Sequence, residues 1–554
     1  MNRNSKSHFS ATDNRINIGR SRFDRPSWFK TTAATGSLGV FYCDEVLPGD
    51  TFDMKTSVLC RMATPIFPVA DNCYLDTYFF FIPNRLVWNH WAQFNGENDV
   101  NAWEQTIEYE IPQIPLMTSP EFYEFSLYDY FGLPKQQIDT QKTETVSALP
   151  FRAYQLVWNE WFRDQNLQDP VFVPKDDDFE MLDFDNAFNV SRIRKACKFH
   201  DYFSSALPSP QKSSSVLIPG FDGSVPVVTG KNHASQLFAD NYGPYSLMWR
   251  NVNDGSVVAG SSQLVTGGSS MTGVKVTGSD VPTSLITPSN LWVGSTNGVT
   301  IDALRTAFQI QKLLWRDGIG GTRYTEIIRS HFGVVSPDGR MQRPEYLGGK
   351  RIPITMNQVI QQSAASGEPT PLGNAAGISK TVDSFNGFTK SFTEHGWILG
   401  LFCLRTDHTY QQGINRMWSR KQRFDFYFPE LANIGEMPIL NKEIFFDGSG
   451  SDANDEVFGY QEAWAEYRYR PSYVSGAFRS DYSGGSLDSW HYADFYESLP
   501  HLSDEWIEET SENVKRTLAV TENPNEQWLL DFYFDLKTTR PMPTYSVPGL
   551  VDHF

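Results

Sequence analysis

A mainly β fold of the sandwich kind is what this 554-residue chain predicts, and three observations carry that expectation. Aromatic residues make up 14% of the chain beside 40 Gly and 32 Pro, a mixture that suits short strands and turns better than a helical bundle. Several runs alternate polar and apolar residues with a period of two, and turn-forming residues separate them. Such runs stop for a long low-charge stretch and then resume, so one β domain is built from both halves of the chain. A Greek-key or jelly-roll sandwich with a long loop has this layout. Length does not by itself demand a second domain, because large β architectures exceed the average domain size.

The first thirty residues hold Arg3, Lys6, Arg15, Arg20, Arg22, Arg25 and Lys30 against Asp13 and Asp24, a local net of +5 in a chain of −18. Being polar, basic and short of aliphatics, residues 1–30 are expected to form an arm outside the packed centre. Strand-like runs follow: GSLGVFYCDEVL, the turn PGD, TFDMKTSVLCRMA and CYLDTYFFFI. In CYLDTYFFFIPNRLVWNHWAQFNGE, Tyr74, Asp76 and Tyr78 alternate with Cys73, Leu75 and Thr77, as a strand with one wetter face does. From Phe79 to Ile82 both faces turn apolar, which places that end between two covering layers. Pro83 ends the strand, Asn84 caps a short helix, and Val87, Trp88, Trp91 and Phe94 share one helical face before Gly96. A strand-to-helix corner results, with core on one side and a neighbouring subunit on the other. Phe79, Phe80, Phe81, Trp88 and Trp91, with Trp158 and Trp161 further on, are the candidate core and interface aromatics.

Two segments have helical spacing. In ALPFRAYQLVWNEWFRDQNL, Phe151, Tyr154, Val157, Trp158, Trp161 and Phe162 recur three and four apart behind Pro150. In TIDALRTAFQIQKLLWRDG, Ile301, Leu304, Phe308 and Trp315 form a stripe, with Thr300 as cap and Gly318 as stop. Both are expected to pack in the core or at an interface. Between them only seven of the 83 residues from Ser213 to Ser295 are charged, while Ser, Gly, Thr and Val dominate. Val, Leu and Ile recur too regularly there for a linker, so residues 213–295 are expected to be an inserted subdomain with weak strands. Strand patterns resume in GWILGLFCLRT, RFDFYFP, YQEAWAEYRYRPSYVSGAF and EQWLLDFYFDLKTTRPMP, giving a core of residues 31–212 and 296–554.

No catalytic constellation emerges. The net charge of −18 opposes generic attraction of the whole molecule to nucleic acid. Five cysteines without a CxxC pair argue against both a disulfide framework and a zinc site, and predict reduced, buried thiols. The start MNRNSKSHFS lacks the apolar core of a signal peptide, and no uncharged apolar run approaches the roughly 20 residues that cross a bilayer, so a soluble, unexported product is expected. GKN at Gly230 lacks the Ser or Thr of a phosphate loop, and GIGGT at Gly318 follows a helix instead of opening one. DDDFEMLDFD from Asp176 reads as a solvated face, and DGSGSDANDE from Asp447 has Asp452 and Phe458 where a calcium loop needs Gly and Glu. His395 in EHGWILGLF reads as a strand start. Neither a cofactor nor a metal is implied; a structural divalent cation has no support in the spacing.

TYFFFIPNRLVWNHWAQFNGE resembles the major capsid proteins of microviruses, in particular the gokushovirus branch of small tailless bacteriophages with single-stranded DNA. RSRFDRPSWFKTT, DEVLPGDTF, SALPFRAYQLVWNEWFRDQNLQ and LRTAFQIQKLLWRDGIGGTRYTEIIRSHFGVVSPDGRMQRPEYLGG resemble the same family, in the family's order. So do TYQQGINRMWSRKQRFDFYFPELANIGE, FGYQEAWAEYRYRPS and RPMPTYSVPGLVDHF. The resemblance fails mainly between Ser213 and Ser295, where only the position of an insertion matches.

This resemblance implies a structural protein and no enzyme: a single eight-stranded jelly-roll β-sandwich with long inserted loops and a few short helices. Sixty copies would close a T=1 icosahedral shell, assembled in the cytoplasm of a bacterial host. The insertion would form a threefold surface protrusion used in attachment to a bacterial surface receptor. Implied partners are the packaged single-stranded DNA, a small basic DNA-binding protein, a DNA pilot protein and an internal scaffolding protein, with no membrane insertion. Arg3, Lys6, Arg15, Arg20, Arg22 and Arg25 are the candidate DNA contacts, because cations that replace condensed counterions give sequence-independent affinity. Docking on a neighbour's acidic surface is the other use of those charges. Trp28 and Phe29 either stack on unpaired bases or pack under the first strand. The rival class is a β-sandwich carbohydrate-binding protein or glycosidase, whose exposed aromatics would gather in one concave site.

Overall fold

The computed structural model describes residues 19–98, 108–116, 124–134, 144–177, 192–214, 216, 227–229, 249–251, 257–258, 261–267, 270–277, 286–288, 291–293, 301–362, 373, 375–450, 452–519 and 523–545. It divides into two compact units, Met1–Pro210 with Arg316–Phe554, and Gln211–Trp315.

Nine strands build the first unit's centre. They are β1 (Ser21–Asp24), β2 (Ser27–Ala33), β3 (Gly39–Val46), β4 (Thr51–Met62) and β5 (Cys73–Pro83), then β6 (Glu345–Pro353), β7 (Thr381–Ser391), β8 (Gly396–Thr406) and β9 (Trp528–Arg540). One sheet runs β1-β9-β4-β7, with β2 also paired to β9; the other runs β6-β5-β8-β3. All of these pairings are antiparallel.

Alternation in the sequence decides which face of the first sheet is buried. Phe52, Met54, Val58, Cys60 and Met62 of β4 and Trp528, Leu530, Phe532, Phe534 and Leu536 of β9 all point inward and are buried. Residues between them, such as Lys55, Arg61 and Asp531, take the other face. Across the interior, Phe41 of β3 stacks on Phe532 at 4.6 Å and meets Phe79 of β5 edge-on at 5.2 Å. Each such ring, fully buried, contributes about 1.5–3 kcal/mol, so this layer dominates the fold's stability.

The second sheet is covered on both faces, as the near-continuous burial of β5 and β8 requires. Its second cover is helix α1 (Leu149–Val157), which continues as a π turn over Trp158–Phe162. Phe151, Ala153, Tyr154, Val157 and Trp158 are buried on this helix, and Pro150 stands in its first turn. Tyr154 donates its hydroxyl to Leu38 O at 2.8 Å, and Trp158 Nε1 donates to Lys195 O at 3.0 Å. These bonds leave no polar tip of the buried rings unpaired. The turn before β4 closes as its sequence demands: Gly49 sits at φ +91°, and Asp50 accepts from Leu47 N at 2.9 Å.

The structure departs from the sequence expectations at several places. Residues 21–33 alternate well enough to join β9 as β1 and β2, although the segment up to residue 30 reads as an arm. RFDFYFP forms no strand. Asp425 Oδ2 accepts from both Lys421 N and Gln422 N at 2.7 Å, which closes a 3₁₀ turn over Arg423–Asp425, and Pro429 starts another. In VFGYQEAWAEYRYRP the strand stops at Glu462, because Trp464 takes a left-handed φ of +65° and a 3₁₀ turn follows. Asn84 does not cap with its side chain; its backbone opens a 3₁₀ turn, and a separate short helix spans Trp91–Phe94.

In the second unit, Ser261–Gly267 pairs with Ser270–Thr277, Trp249–Asn251 pairs with Val257–Val258 and Ile286–Pro288, and Val227–Thr229 pairs with Leu291–Val293. Helix α2 runs from Ile301 to Gly320, past Gly318, beginning in the second unit and ending in the first. Its apolar stripe is not buried in a single chain: Ile301 and Phe308 are 69% and 63% exposed. Gly230 and Thr300 lie outside the described residues, as does 178–185 of the acidic run.

Candidate assembly surfaces

The aromatic corner after β5 packs largely within the chain, with Phe94 and Tyr346 left about two-fifths exposed. Phe79, Phe80 and Phe81 are buried, and Phe80 lies 5.5 Å from Trp161 and 5.6 Å from Tyr346, so the chain itself covers this ring. Trp88 is fully buried; its Nε1 donates to Asp177 Oδ1 at 2.6 Å, and its ring meets Phe94 at 5.4 Å and Trp91 at 6.2 Å. Trp91 is half-buried and edge-on to His395, the residue just before β8. Trp161 Nε1 donates to Pro344 O at 3.1 Å, under the Arg343 guanidinium at 4.2 Å.

The candidate cations of the amino end separate. Arg3, Lys6 and Arg15 lie outside the described residues. Arg20 approaches Gly49, and Arg22 is exposed on β1 opposite Thr539. Arg25 makes a two-pronged pair with Asp44, at 2.7 and 3.2 Å, so its charge is already answered inside the chain.

Sequence reasoning missed the most exposed aromatic surface. Trp418, Phe424, Phe426, Tyr467 and Tyr473 are between 50% and 75% exposed, all in the long irregular segment between β8 and β9. Arg420 fastens these loops together: it donates to Glu466 Oε1 at 3.0 Å, and its guanidinium lies 4.4 Å over Tyr467 and 5.6 Å over Phe426. The signal was in the sequence, where RMWSRKQRFDFYF and YRYRPSY interleave Arg with rings. Alternation there reports a presented surface instead of a strand. Monomeric proteins rarely expose large apolar patches, and rings this exposed suit a partner surface.

Two ion networks centred on buried carboxylates hold the frame. Asp76 of β5 is bonded by Arg351 of β6 at 2.7 Å and by Arg405 of β8. Arg405 also donates to Tyr78 Oη at 2.8 Å. His408, just past β8, bonds Asp494 at 2.8 Å and Glu509 at 3.1 Å. Burial opposes the imidazolium, but the two carboxylates overcome it and push His408 from 6.5 up to about 10. Asp494 is held below the usual carboxylate range, against its own burial, by His408 and Lys198. The triad has no nucleophile and ties three separate segments together; it is a clasp.

Among the described residues, no group of three or more His, Cys, Asp or Glu is placed to hold a metal ion, and no helix is long and apolar enough to cross a membrane. The five cysteines are free thiols, and burial pushes Cys60 up to about 12, which makes it inert.

Residues 13–550 match the family described as Capsid protein (F protein). The chain is 41% identical to the Capsid protein VP1 of Bdellovibrio phage phiMH2K, over 97% of each chain. It is 39% identical to the Capsid protein VP1 of Chlamydia phage 1 and 37% identical to that of Spiroplasma virus 4, each over 96% of both chains. That family is structural and not one of enzymes, its members serve as multi-copy components of the virion capsid, and a chain with this sandwich and this presented aromatic surface suits that use. The chain belongs to the microvirus capsid protein family.

Proposed function

We propose that this chain is the major capsid protein of a small tailless phage, sixty copies of which close a T=1 icosahedral shell around a single-stranded DNA genome. The observation that carries the assembly reading is the exposed aromatic surface from Trp418 to Tyr473. Rings exposed to this degree in a folded chain are stabilised by burial against copies of itself. A sugar-binding sandwich would gather its rings in one concave site, whereas exposed rings here also include Phe308 of α2, Phe332 and Trp28.

The fold proposed for the shell is a single eight-stranded jelly roll, supported by the strand order. Taking β2 to β9 as the eight strands, one sheet is β2-β9-β4-β7 and the other β3-β8-β5-β6. Every step along the chain then crosses between sheets except β5 to β6, where the long excursion containing residues 213–295 intervenes. That excursion is proposed as a threefold surface protrusion that contacts a bacterial surface receptor. The basic amino end, with Arg3, Lys6, Arg15, Arg20 and Arg22, is proposed to face the DNA; Arg25 joins them only by leaving Asp44. An acidic shell of this kind calls for a small basic DNA-binding protein beside the genome. Scaffolding and pilot proteins complete the proposed assembly, in the cytoplasm of the host.

Expression of the full chain with its scaffolding partner, followed by sizing and negative-stain microscopy, tests the reading. Closed shells are expected, and deletion of residues 213–295 should remove threefold projections without opening the shell. A chain that stays monomeric under all assembly conditions and binds glycans overturns it.

A further inference from the structure

The two sheets differ on their outer faces. The β6-β5-β8-β3 sheet is covered by α1 and its π turn, whereas the outer face of the β1-β9-β4-β7 sheet, with β2, carries no helix among the described residues and is half-exposed along β4 and β9, with Lys55, Arg61 and Leu529 exposed. At the β2 edge Trp28 is 66% exposed, an unusual state for the largest apolar side chain, and its ring lies 5.0 Å from that of Tyr533 on β9. The register continues this row across the sheet through Ser57 of β4 and Ser384 of β7, whose hydroxyls bond each other at 2.9 Å. Two rings beside two small hydroxyl residues leave a step of flat, low surface with an aromatic wall.

Charge on this face is unlike that of the chain. Arg22, Lys30, Lys55, Arg61 and Lys537 point outward against Asp24, Asp53, Asp531 and Asp535, a net of +1 in a molecule of −18. Lys30 is paired to Asp531 at 3.0 Å, while Arg22, Lys55, Arg61 and Lys537 have no ion pair among the described residues. An exposed ring beside a half-buried one for base faces, together with cations held in no close ion pair for phosphates, is a combination that binds single strands without reading sequence.

We propose that the open face of this sheet is the wall that contacts unpaired DNA, with Trp28 and Tyr533 as a base-stacking platform and Lys55, Arg61 and Lys537 as phosphate contacts. The inference rests on the reading that the shell encloses a single-stranded genome, and it names a folded surface for that contact in addition to the amino end. Because four of the nine charges are acidic, stacking carries more of the affinity here than phosphate pairing does.

The test uses the full chain, assembled into shells, and a fluorescent oligodeoxythymidine that carries 5-bromodeoxyuridine for photocrosslinking. Crosslinks are expected on the peptides containing Trp28 and Tyr533. On unassembled full-length chain, Trp28→Leu should weaken oligonucleotide binding about fivefold or more, the lower end of what one lost base stack costs. Trp28→Phe should recover part of that loss. Lys55→Gln with Arg61→Gln should lower the salt slope of binding by about 0.7 per cation removed. All of these positions are at the surface, so matching thermal unfolding of the variants separates lost contact from lost fold. Wild-type shells that hold DNA, with no crosslink at either ring and unchanged affinity in Trp28→Leu, overturn this inference and leave the genome-enclosing reading standing. Crosslinks found only to a co-packaged basic protein also overturn it. Wild-type shells that never hold DNA overturn both.

Discussion

Replacing Trp88 with Ala should destabilise the subunit more than any other single change at the aromatic corner. The indole is fully buried beside Phe94 and Trp91, and deletion of a buried Trp ring costs about 3–5 kcal/mol, cavity included. Trp88→Phe separates the two contributions, since it keeps most of the ring and removes only the bond from Nε1 to Asp177 at 2.6 Å. A hydrogen bond to a charged group is worth about 1.5–3 kcal/mol, and the low end applies because the Asp177 side chain is 42% exposed and regains water. Trp91→Ala, at a half-buried ring, should cost about 1–2 kcal/mol by the same area argument. Urea unfolding of unassembled subunits gives the three values, with an unchanged m confirming that the native and denatured states stay comparable. A Trp88→Ala midpoint within about 0.5 kcal/mol of wild type, or a larger loss at Trp91 than at Trp88, would refute the packing argument.

Alkali should loosen the His408 clasp. Because its folded pKa is raised from 6.5 to about 10, its contribution is fully present below pH 6.5 and is lost as pH rises through about 10. Thermal unfolding should therefore fall between pH 7 and 10 in wild type and flatten in His408→Gln, which at neutral pH should cost about 3–5 kcal/mol by stranding two buried carboxylates; parallel pH curves would count against the clasp. Trp418→Ser with Phe424→Ser should leave subunit unfolding within about 0.5 kcal/mol of wild type, since both rings are exposed, yet reduce shell yield severely. Normal yield by sucrose-gradient sedimentation would remove these loops from the assembly surface.

The sequence made the central strands legible because their alternation records a buried face, and β4 and β9 keep that record over their whole length. The corner at Phe79 to Ile82 was equally readable, since two apolar faces in a short strand require two covers. What the sequence could not say was who provides the second cover: a neighbour was expected, and the chain's own Trp161 and Tyr346 supply it. The strands β1 and β2 were hidden for a different reason. Their partner, β9, lies at the far end of the chain, and a basic, aliphatic-poor segment shows no sign of a pairing about 500 residues away in sequence. Segment 423–429 misled in the opposite sense, because alternating aromatics look the same whether a sheet or an unmade interface awaits them. Two carboxylate bonds from Asp425 and one Pro decide for turns. Among the candidate DNA contacts, charge type was visible but not commitment, as Arg25 and Asp44 show.

Mass measurement of intact, DNA-free shells by charge-detection mass spectrometry bears most directly on the central claim. A dominant species at sixty times the 63.0-kDa chain is the result expected. A discrete oligomer of a few chains, or a monomer that never assembles, would contradict it.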